Sequence, residues 1–410
     1  MSFEKKICAI DIGTYKIRGI IGQIESEKPE GNNWKISGFA EVSSFGVRRG
    51  EIVDVVEVSK CLKQLIKKLE INSGFKVNQA WINIGGPHVY CKEGKGAVAV
   101  SRADGKISNE DVDRSIEAAT IVFSPRNRQS VCTLPRYYRI DDQDIARNPA
   151  GMQGKKLEAN VLIIEAFTPQ FKNLQQCLQD SGIDILGLVY TPLAVSEAIL
   201  SRRQKELGVM ALDFGGGVTN LTIFEEQDIL DISTLPVGSN HLTNDLAVGL
   251  RVPVDVAEKI KIGVGRVDLN NIDRRKTIDL SRFGGDGSVS QYEIGKIVQA
   301  RIEEILELVN KELKRIGRQN LLPGGVVICG GGAQLKGLSD LVKDYLGLPV
   351  QIGIPEQGNN SSFEEVQSPE WATVCGLIDW ALNNQKRIPQ WSGISGIVRK
   401  ITHFFKRIAP

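Results

Sequence analysis

Two stretches of the chain, about 200 residues apart, repeat one plan, and that repeat limits the possible fold more than any other feature. Ile7-Cys-Ala-Ile-Asp-Ile-Gly-Thr14 and Val209-Met-Ala-Leu-Asp-Phe-Gly-Gly-Gly217 each run as apolar strand, aspartate, apolar residue and glycine turn. Each leads into a return strand, Lys16 to Gln23 in the first copy and Val218 to Phe224 in the second. A strand–turn–strand unit recurring at this distance is a repeat at domain scale and predicts two related lobes. At 410 residues the chain is long enough for each lobe to have its own core.

The other segments fill in around that repeat. After the strand Lys6 to Thr14, a third strand is expected over Trp34 to Val42, a helix over Val55 to Leu69, and a further strand over Ala80 to Ile84. Residues 86–165 have a different texture. They hold a charged helix candidate at Asn109 to Ala119, the proline-bearing run Thr133 to Ile140 and the strand Ala159 to Glu165, which together read as a small inserted α/β subdomain. A helix near Phe171 to Asp180 and the segment Leu186 to Leu200 close the first lobe. The lobe-one core is thus residues 1–85 and 166–205, and the lobe-two core 206–242 and 324–382. A mostly helical, charged insertion spans 243–323, followed by a polar linker over 383–392 and a terminal helix over 393–410.

Three glycine turns follow apolar strands: Asp11-Ile-Gly13-Thr14-Tyr15-Lys16, Asp213-Phe-Gly215-Gly216-Gly217-Val-Thr219-Asn220, and Cys329-Gly330-Gly331-Gly332-Ala333-Gln334. Glycine lets the backbone approach a ligand closely, and successive N–H groups in such a turn form a concave site for anions such as phosphate. A polyphosphate held between the first two turns would bind the lobes together, with Thr14 and Lys16 adding a hydroxyl and a charge. Asp11 and Asp213 suit a hydrated Mg²⁺, which takes few carboxylates plus water and phosphate oxygens. The third turn is expected to open a helix over Leu335 to Leu346 and to cradle a nucleoside or α-phosphate at its N-terminus. Glu258 and Lys261, three apart on one helix face, are placed to reach ribose and base.

Charge is unevenly distributed. The formal net charge is +2, yet no acid follows Asp379, and Lys386, Arg387, Arg399, Lys400, Lys406 and Arg407 supply six positive charges, so the rest of the chain carries 2 − 6 = −4. A cationic tail on a mildly acidic body points to a local anionic partner and away from nucleic-acid binding by the whole protein. In the tail Ile394, Ile397, Val398, Ile401, Phe404, Phe405 and Ile408 form a helical apolar stripe, with Arg399, Lys400, Lys406 and Arg407 at other positions. This pattern predicts an amphipathic helix lying on anionic lipid at the cytoplasmic face of a membrane. Partial burial of seven apolar side chains gives roughly 7–10 kcal/mol gross. Ordering some 15 residues at about 1 kcal/mol each cancels most of it. One tail should hold weakly and several on one polymer strongly, so self-assembly and membrane binding are expected to be coupled. The seven cysteines form no CxxC pair and read as buried small hydrophobes in a reducing compartment. No signal-peptide pattern and no run near 18 apolar residues is present, so a cytosolic or peripheral protein is expected.

With its turns in this order and spacing, the chain resembles the actin/chaperone/sugar-kinase ATPase superfamily, and within it the FtsA family of bacterial cell-division proteins. The resemblance covers nearly the whole chain. It rests on the three turns and on Gly46-Val-Arg-Arg-Gly-Glu-Ile-Val-Asp54, Leu134-Pro-Arg-Tyr-Tyr-Arg-Ile-Asp141 and Asn148-Pro-Ala-Gly-Met-Gln-Gly-Lys-Lys-Leu157. It implies a two-lobed actin-like ATPase fold of α/β class, with an FtsA-type inserted subdomain at 86–165 and a C-terminal amphipathic helix. It also implies ATP and Mg as cofactors, phosphate contacts from Asp11 to Lys16 and from Asp213 to Asn220, and nucleoside contacts from Glu258, Lys261 and Gly330 to Ala333. Two positions depart from the pattern: Tyr15 is bulkier than the small residue expected, and Cys132 stands where histidine is common.

The expected function is an ATP-binding, self-assembling adaptor that tethers a cytoplasmic division filament to the membrane at the septum and helps recruit other division proteins. The partner implied is the C-terminal peptide of the tubulin-like protein FtsZ, docking on the lobe-two insertion along the helix candidate Gln291 to Ile316, with Arg301 facing an acidic peptide residue. No residue marks itself as a base poised to activate water, so hydrolysis is expected to be slow or absent. Alternatives are a PilM-like pilus-assembly protein and a small-metabolite kinase on the same fold.

Overall fold

Each half of the repeat becomes a five-stranded sheet with the same strand order. The computed structural model describes residues 6–24, 34–121, 125–143, 145–355 and 363–383. Residues Pro87–Leu174 form one compact unit and the other described residues a second.

The first sheet contains β1 (Lys6–Ile12), β2 (Lys16–Ile24) and β3 (Trp34–Ser43), an antiparallel meander in which Asp11 lies opposite Arg18. A two-residue hairpin, β4 (Val47–Arg48) and β5 (Glu51–Ile52), precedes α1 (Val55–Ser73). Asp54 caps α1 by accepting a hydrogen bond from the Glu57 amide at 3.0 Å, and Gly74, left-handed at φ 64°, stops it. That stop makes α1 a turn longer than its apolar spacing predicts. Val58, Cys61, Leu62, Leu65 and Leu69 recur every three or four residues and are buried. β6 (Gln79–Ile84) then pairs parallel with β1.

Within Pro87–Leu174 lie β7 (Val89–Ala99), α2 (Asn109–Thr120), β8 (Arg128–Ile140), β9 (Ile145–Ala146) and β10 (Lys156–Phe167), in sheet order β7-β10-β8-β9. Leu157, Ala159, Val161 and Ile163 of β10 alternate onto one face and form a core with Ile107, Ala119 and Tyr138. Thr133 to Ile140 is the second half of the long strand β8, and Pro135 is tolerated there because it stands at a register shift opposite Val161. α3 (Thr168–Asp180) follows, and β11 (Asp184–Tyr190) completes the first sheet in the order β11-β6-β1-β2-β3. Leu186 to Leu200 thus divides between β11 and α4 (Thr191–Ile199).

After α5 (Arg202–Leu207), the second copy runs β12 (Val209–Phe214), β13 (Thr219–Glu225) and β14 (Asp228–Leu235). Its sheet order is β14-β13-β12-β17-β18, with β12 and β13 antiparallel and β12, β17 and β18 parallel. The pattern of two antiparallel and two parallel pairings matches the first sheet strand for strand. Between β14 and β17 come α6 (Ser239–Leu250), α7 (Val254–Val264), the short pair β15 (Thr277–Asp279) and β16 (Ser288–Ser290), and α8 (Gln291–Arg315). Ile294, Val298, Ile302, Ile305, Val309 and Leu313 bury one face of α8 in the lobe-two core, leaving its charged residues outward. β17 (Val326–Cys329), α9 (Leu338–Leu346), β18 (Val350–Ile352) and α10 (Ala372–Asn383) finish the described chain.

Candidate functional site

Asp11 and Asp213 are each the penultimate residue of the first strand of their sheet, at the C-terminal ends of β1 and β12. In sheets with parallel strands, ligands bind outside those carboxyl ends. Both side chains are only 7 % exposed. Asn83, at the end of β6, donates to Asp11 Oδ1 at 2.8 Å, accepts from the Ile12 amide at 2.7 Å and donates to Thr191 Oγ1 at 3.2 Å. On the other side Asn220 donates to Asp213 Oδ2, Thr234 Oγ1 donates to Asn220, and Tyr190 Oη lies 2.8 Å from Thr234 Oγ1. Tyr190 and Thr191 are neighbours in the chain, so one run of hydrogen bonds beneath the cleft reaches both acids.

The turns close over the same point. A Cβ on Gly217 would stand 2.7 Å from Thr14 Oγ1 and 2.9 Å from Arg49 Cα, so only glycine lets the two hairpins meet. A Cβ on Gly330 would stand 2.5 Å from Asp213 Oδ1, which sets the third turn against the same acid. The turns bound a cavity of about 400 Å³, within the usual range for small-molecule sites. Of the phosphate candidates, Asp11, Gly13, Thr14, Tyr15, Lys16, Gly215, Gly216, Gly217 and Asn220 line it, with Asp213. Of the nucleoside candidates, Glu258, Lys261, Gly330, Gly331 and Gly332 do. Thr219 does not: its hydroxyl is turned to the backbone carbonyl of Val237 at 2.8 Å. Ala333 is buried behind the third turn. That turn is a 3-10 segment, Gly331–Gln334, and α9 starts only at Leu338, after Gly337 takes φ 83°. The helix expected from Leu335 therefore begins three residues later, and no α-helix N-terminus abuts the turn itself.

Burial dominates the electrostatics. It pushes the Asp11 carboxyl up to about 7, opposed by Arg18 and assisted by the nearby Asp213 charge. It pushes Asp213 up to about 6 against the Asn220 hydrogen bond. Two buried acids facing one cavity are poorly solvated and repel each other, a strain that a divalent cation relieves. Most basic groups nearby are already paired. Lys16 bonds Glu41, Arg18 reaches Glu41 at 3.2 Å and Glu370 at 3.7 Å, and Lys261 meets Glu258 at 2.7 Å. Burial lowers the Lys261 pKa, with Glu258 working the other way. Burial and the facing Glu258 carboxylate raise the pKa of Tyr15 in the first turn. Asn83, Gly50, Thr191, Glu370 and Thr373 also line the cavity and escaped sequence reasoning. Asn83 left a signal there, as an amide inside the apolar run Trp81 to Ile84, and Gly50 left one as part of the run Gly46 to Asp54.

Outside the residues that line the cavity, Arg301 on α8 forms a bidentate pair with Asp245 of α6, at 2.6 and 2.9 Å, and also reaches Glu304. The tail residues Ile394, Ile397, Val398, Arg399, Lys400, Ile401, Phe404, Phe405, Lys406, Arg407 and Ile408 lie outside the described residues. Among the described residues no helix is long and apolar enough to cross a membrane.

Paired sheets of one topology, each ending its first strand in an aspartate and a glycine hairpin, define an actin-like ATPase fold. Solved structures agree on the fold. A PilM–PilN type IV pilus biogenesis complex matches with a TM-score of 0.62 at 17 % identity, over 91 % of this chain and 98 % of that one. MreB5 of Spiroplasma citri bound to AMPPNP matches with a TM-score of 0.55 at 13 % identity, over 93 % and 97 %. At such identities the likeness concerns the fold alone. The family model "Cell division protein FtsA" matches residues 210–376, and "SHS2 domain inserted in FTSA" matches 86–165. The chain is 30 % identical to cell division protein FtsA of Bacillus subtilis strain 168 over 94 % of its length and 86 % of that protein's. It is equally identical to that of Neisseria meningitidis serogroup B, over 94 % and 92 %. The chain belongs to the FtsA family of cell division proteins.

Proposed function

We propose that the cleft binds ATP with a hydrated Mg²⁺, and that nucleotide occupancy fixes the pose of the two lobes for self-assembly on a membrane. The observation that carries this reading is the convergence of both glycine hairpins and two buried, mutually repelling carboxylates on one cavity. In this reading Gly13 to Lys16 and Gly215 to Gly217 cradle the phosphates, with Asn220 fixing Asp213 from below. Asp11 and Asp213 orient the metal's water shell. Gly330 to Gly332 receive the nucleoside, and Glu258 and Lys261 reach it once their mutual ion pair opens. Bound Mg²⁺ supplies charge neutralisation for the polyphosphate and the acids alike. Hydrolysis is at most slow.

Family membership supports a role at the division septum, where the chain would anchor FtsZ filaments to the cytoplasmic face of the membrane and help recruit other division proteins. The tail 393–410 would be the anchor and the outer face of α8 the dock for the FtsZ C-terminal peptide. Arg301 can serve there only by exchanging Asp245 for an acidic residue of that peptide.

Co-sedimentation of the full chain with anionic vesicles, with and without Mg-ATP and FtsZ, tests the proposal. ATP should raise the pelleted fraction, and Asp213→Ala should lose that increment. Deleting Gly393 to Pro410 should abolish pelleting. A purified chain with no affinity for ATP or ADP in magnesium would sink the nucleotide reading, and unchanged pelleting of the truncation would sink the anchor.

A further inference from the structure

Arg49 sits at the tip of the β4–β5 hairpin with φ 51°, followed by Gly50 at φ 76°. Two positive φ values in a two-residue loop mark a turn whose first position suits Asn, Asp or Gly. An arginine there carries backbone strain of the kind that clusters at binding sites, although Glu226, Gln227 and Arg251 show it elsewhere among the described residues. Two contacts fix the tip against the site. The Gly50 amide donates to Thr14 Oγ1 of the first turn at 3.0 Å. Arg49 Cα lies so near Gly217 of the second turn that a Cβ there would stand 2.9 Å away. Arg49 is therefore at the seam where the two phosphate turns meet. Its side chain is exposed next to Gly50, which lines the cavity, without lining it itself, and among the described residues it has no hydrogen-bond or ion-pair partner. Of the cations on the cavity wall, Lys16, Arg18 and Lys261 are each already paired with a carboxylate, and the exposed Lys336 stands at the third turn, away from the meeting of the first two.

We infer that Arg49 is the guanidinium that grips the terminal phosphate of a nucleoside triphosphate, making the β4–β5 hairpin the element that tells triphosphate from diphosphate. The inference rests on the nucleotide reading above and goes beyond it by assigning the distinction to one side chain outside the three glycine turns. A guanidinium suits this role because its planar fork binds phosphate oxygens in pairs and stays charged. A diphosphate, one group shorter, leaves the seam empty and gains nothing from Arg49.

The test uses the full chain and its Arg49→Ala, Arg49→Lys and Arg49→Gly variants, with dissociation constants for Mg-ATP and Mg-ADP measured by calorimetry and thermal midpoints recorded without nucleotide. Arg49→Ala should weaken ATP roughly 10- to 100-fold and leave ADP within about threefold, and Arg49→Lys should recover part of the loss. Arg49→Gly removes the left-handed strain, so its midpoint should equal or exceed that of the parent while its ATP affinity falls as far as in the alanine variant. Equal losses for ATP and ADP, or an Arg49→Gly variant that keeps its preference for ATP, overturn the assignment. A parent chain that binds ADP and ATP equally overturns it too, while leaving the nucleotide site standing. A parent that binds neither removes both.

Discussion

Asp11 and Asp213 make the ligand-free protein less stable than it would be without them. Their folded pKa values, about 7 and about 6, lie above the ordinary carboxylate value of 3.8 because burial disfavours the ionised form. Between roughly pH 4 and 7 the folded chain keeps protons that the unfolded chain has released, so stability falls as pH rises through that window. Asp213→Asn removes its share, up to about 3 kcal/mol for a shift of some two units. The nucleotide-free variant should melt higher than the parent at pH 8, by a smaller margin at pH 4.5, and no longer bind nucleotide in a magnesium-dependent way. Differential scanning at the two pH values checks this, and a lower midpoint at pH 8 would contradict it. The aspartates were visible in the sequence as the polar residues ending two apolar strands. Thr219 shows the limit of that reading, because neighbours in a strand point to opposite faces and only the register decides which one meets the cavity.

The run Gly46 to Asp54 is legible as a motif, but its physical meaning appears only in the folded element. It contains the β4–β5 hairpin, closed by the Val53 and Asp54 amides donating to the Gly46 carbonyl, and it ends in the cap of α1. Asp54→Ala should cost about 1 kcal/mol, the usual loss for an N-cap, measured as a fall in the denaturant midpoint. The helix after the third turn shows how an element boundary escapes sequence reasoning. Leu335 to Leu346 has helical spacing throughout, yet Gly337 adopts a left-handed conformation with Asp268 pressed against it and delays α9 to Leu338. That constraint comes from a residue 69 positions away (337 − 268).

At the scale of the molecule, the hydrogen bonds beneath the cleft join the two sheets through Tyr190 and Thr191. Tyr190 is almost fully buried at the end of β11 in the first sheet, while Thr234 belongs to β14 in the second. Tyr190→Phe deletes that bond and should lower the thermal midpoint by the equivalent of about 1 kcal/mol. The stabilisation gained on adding Mg-ATP should shrink with it if the bond helps both sheets act on one ligand, and an unchanged gain would show that it does not.

The sequence by itself determined the two-lobed α/β plan, the three glycine turns and the two acids, because strand periodicity and turn chemistry are local and were written twice along the chain. It equally carried the family resemblance. Only the tertiary structure decided which cations on the cavity wall are paired, that Asn83 holds Asp11, and that the tip of a small hairpin meets the first two glycine turns. Those facts depend on residues distant in sequence meeting at van der Waals range, and no local pattern encodes such a meeting.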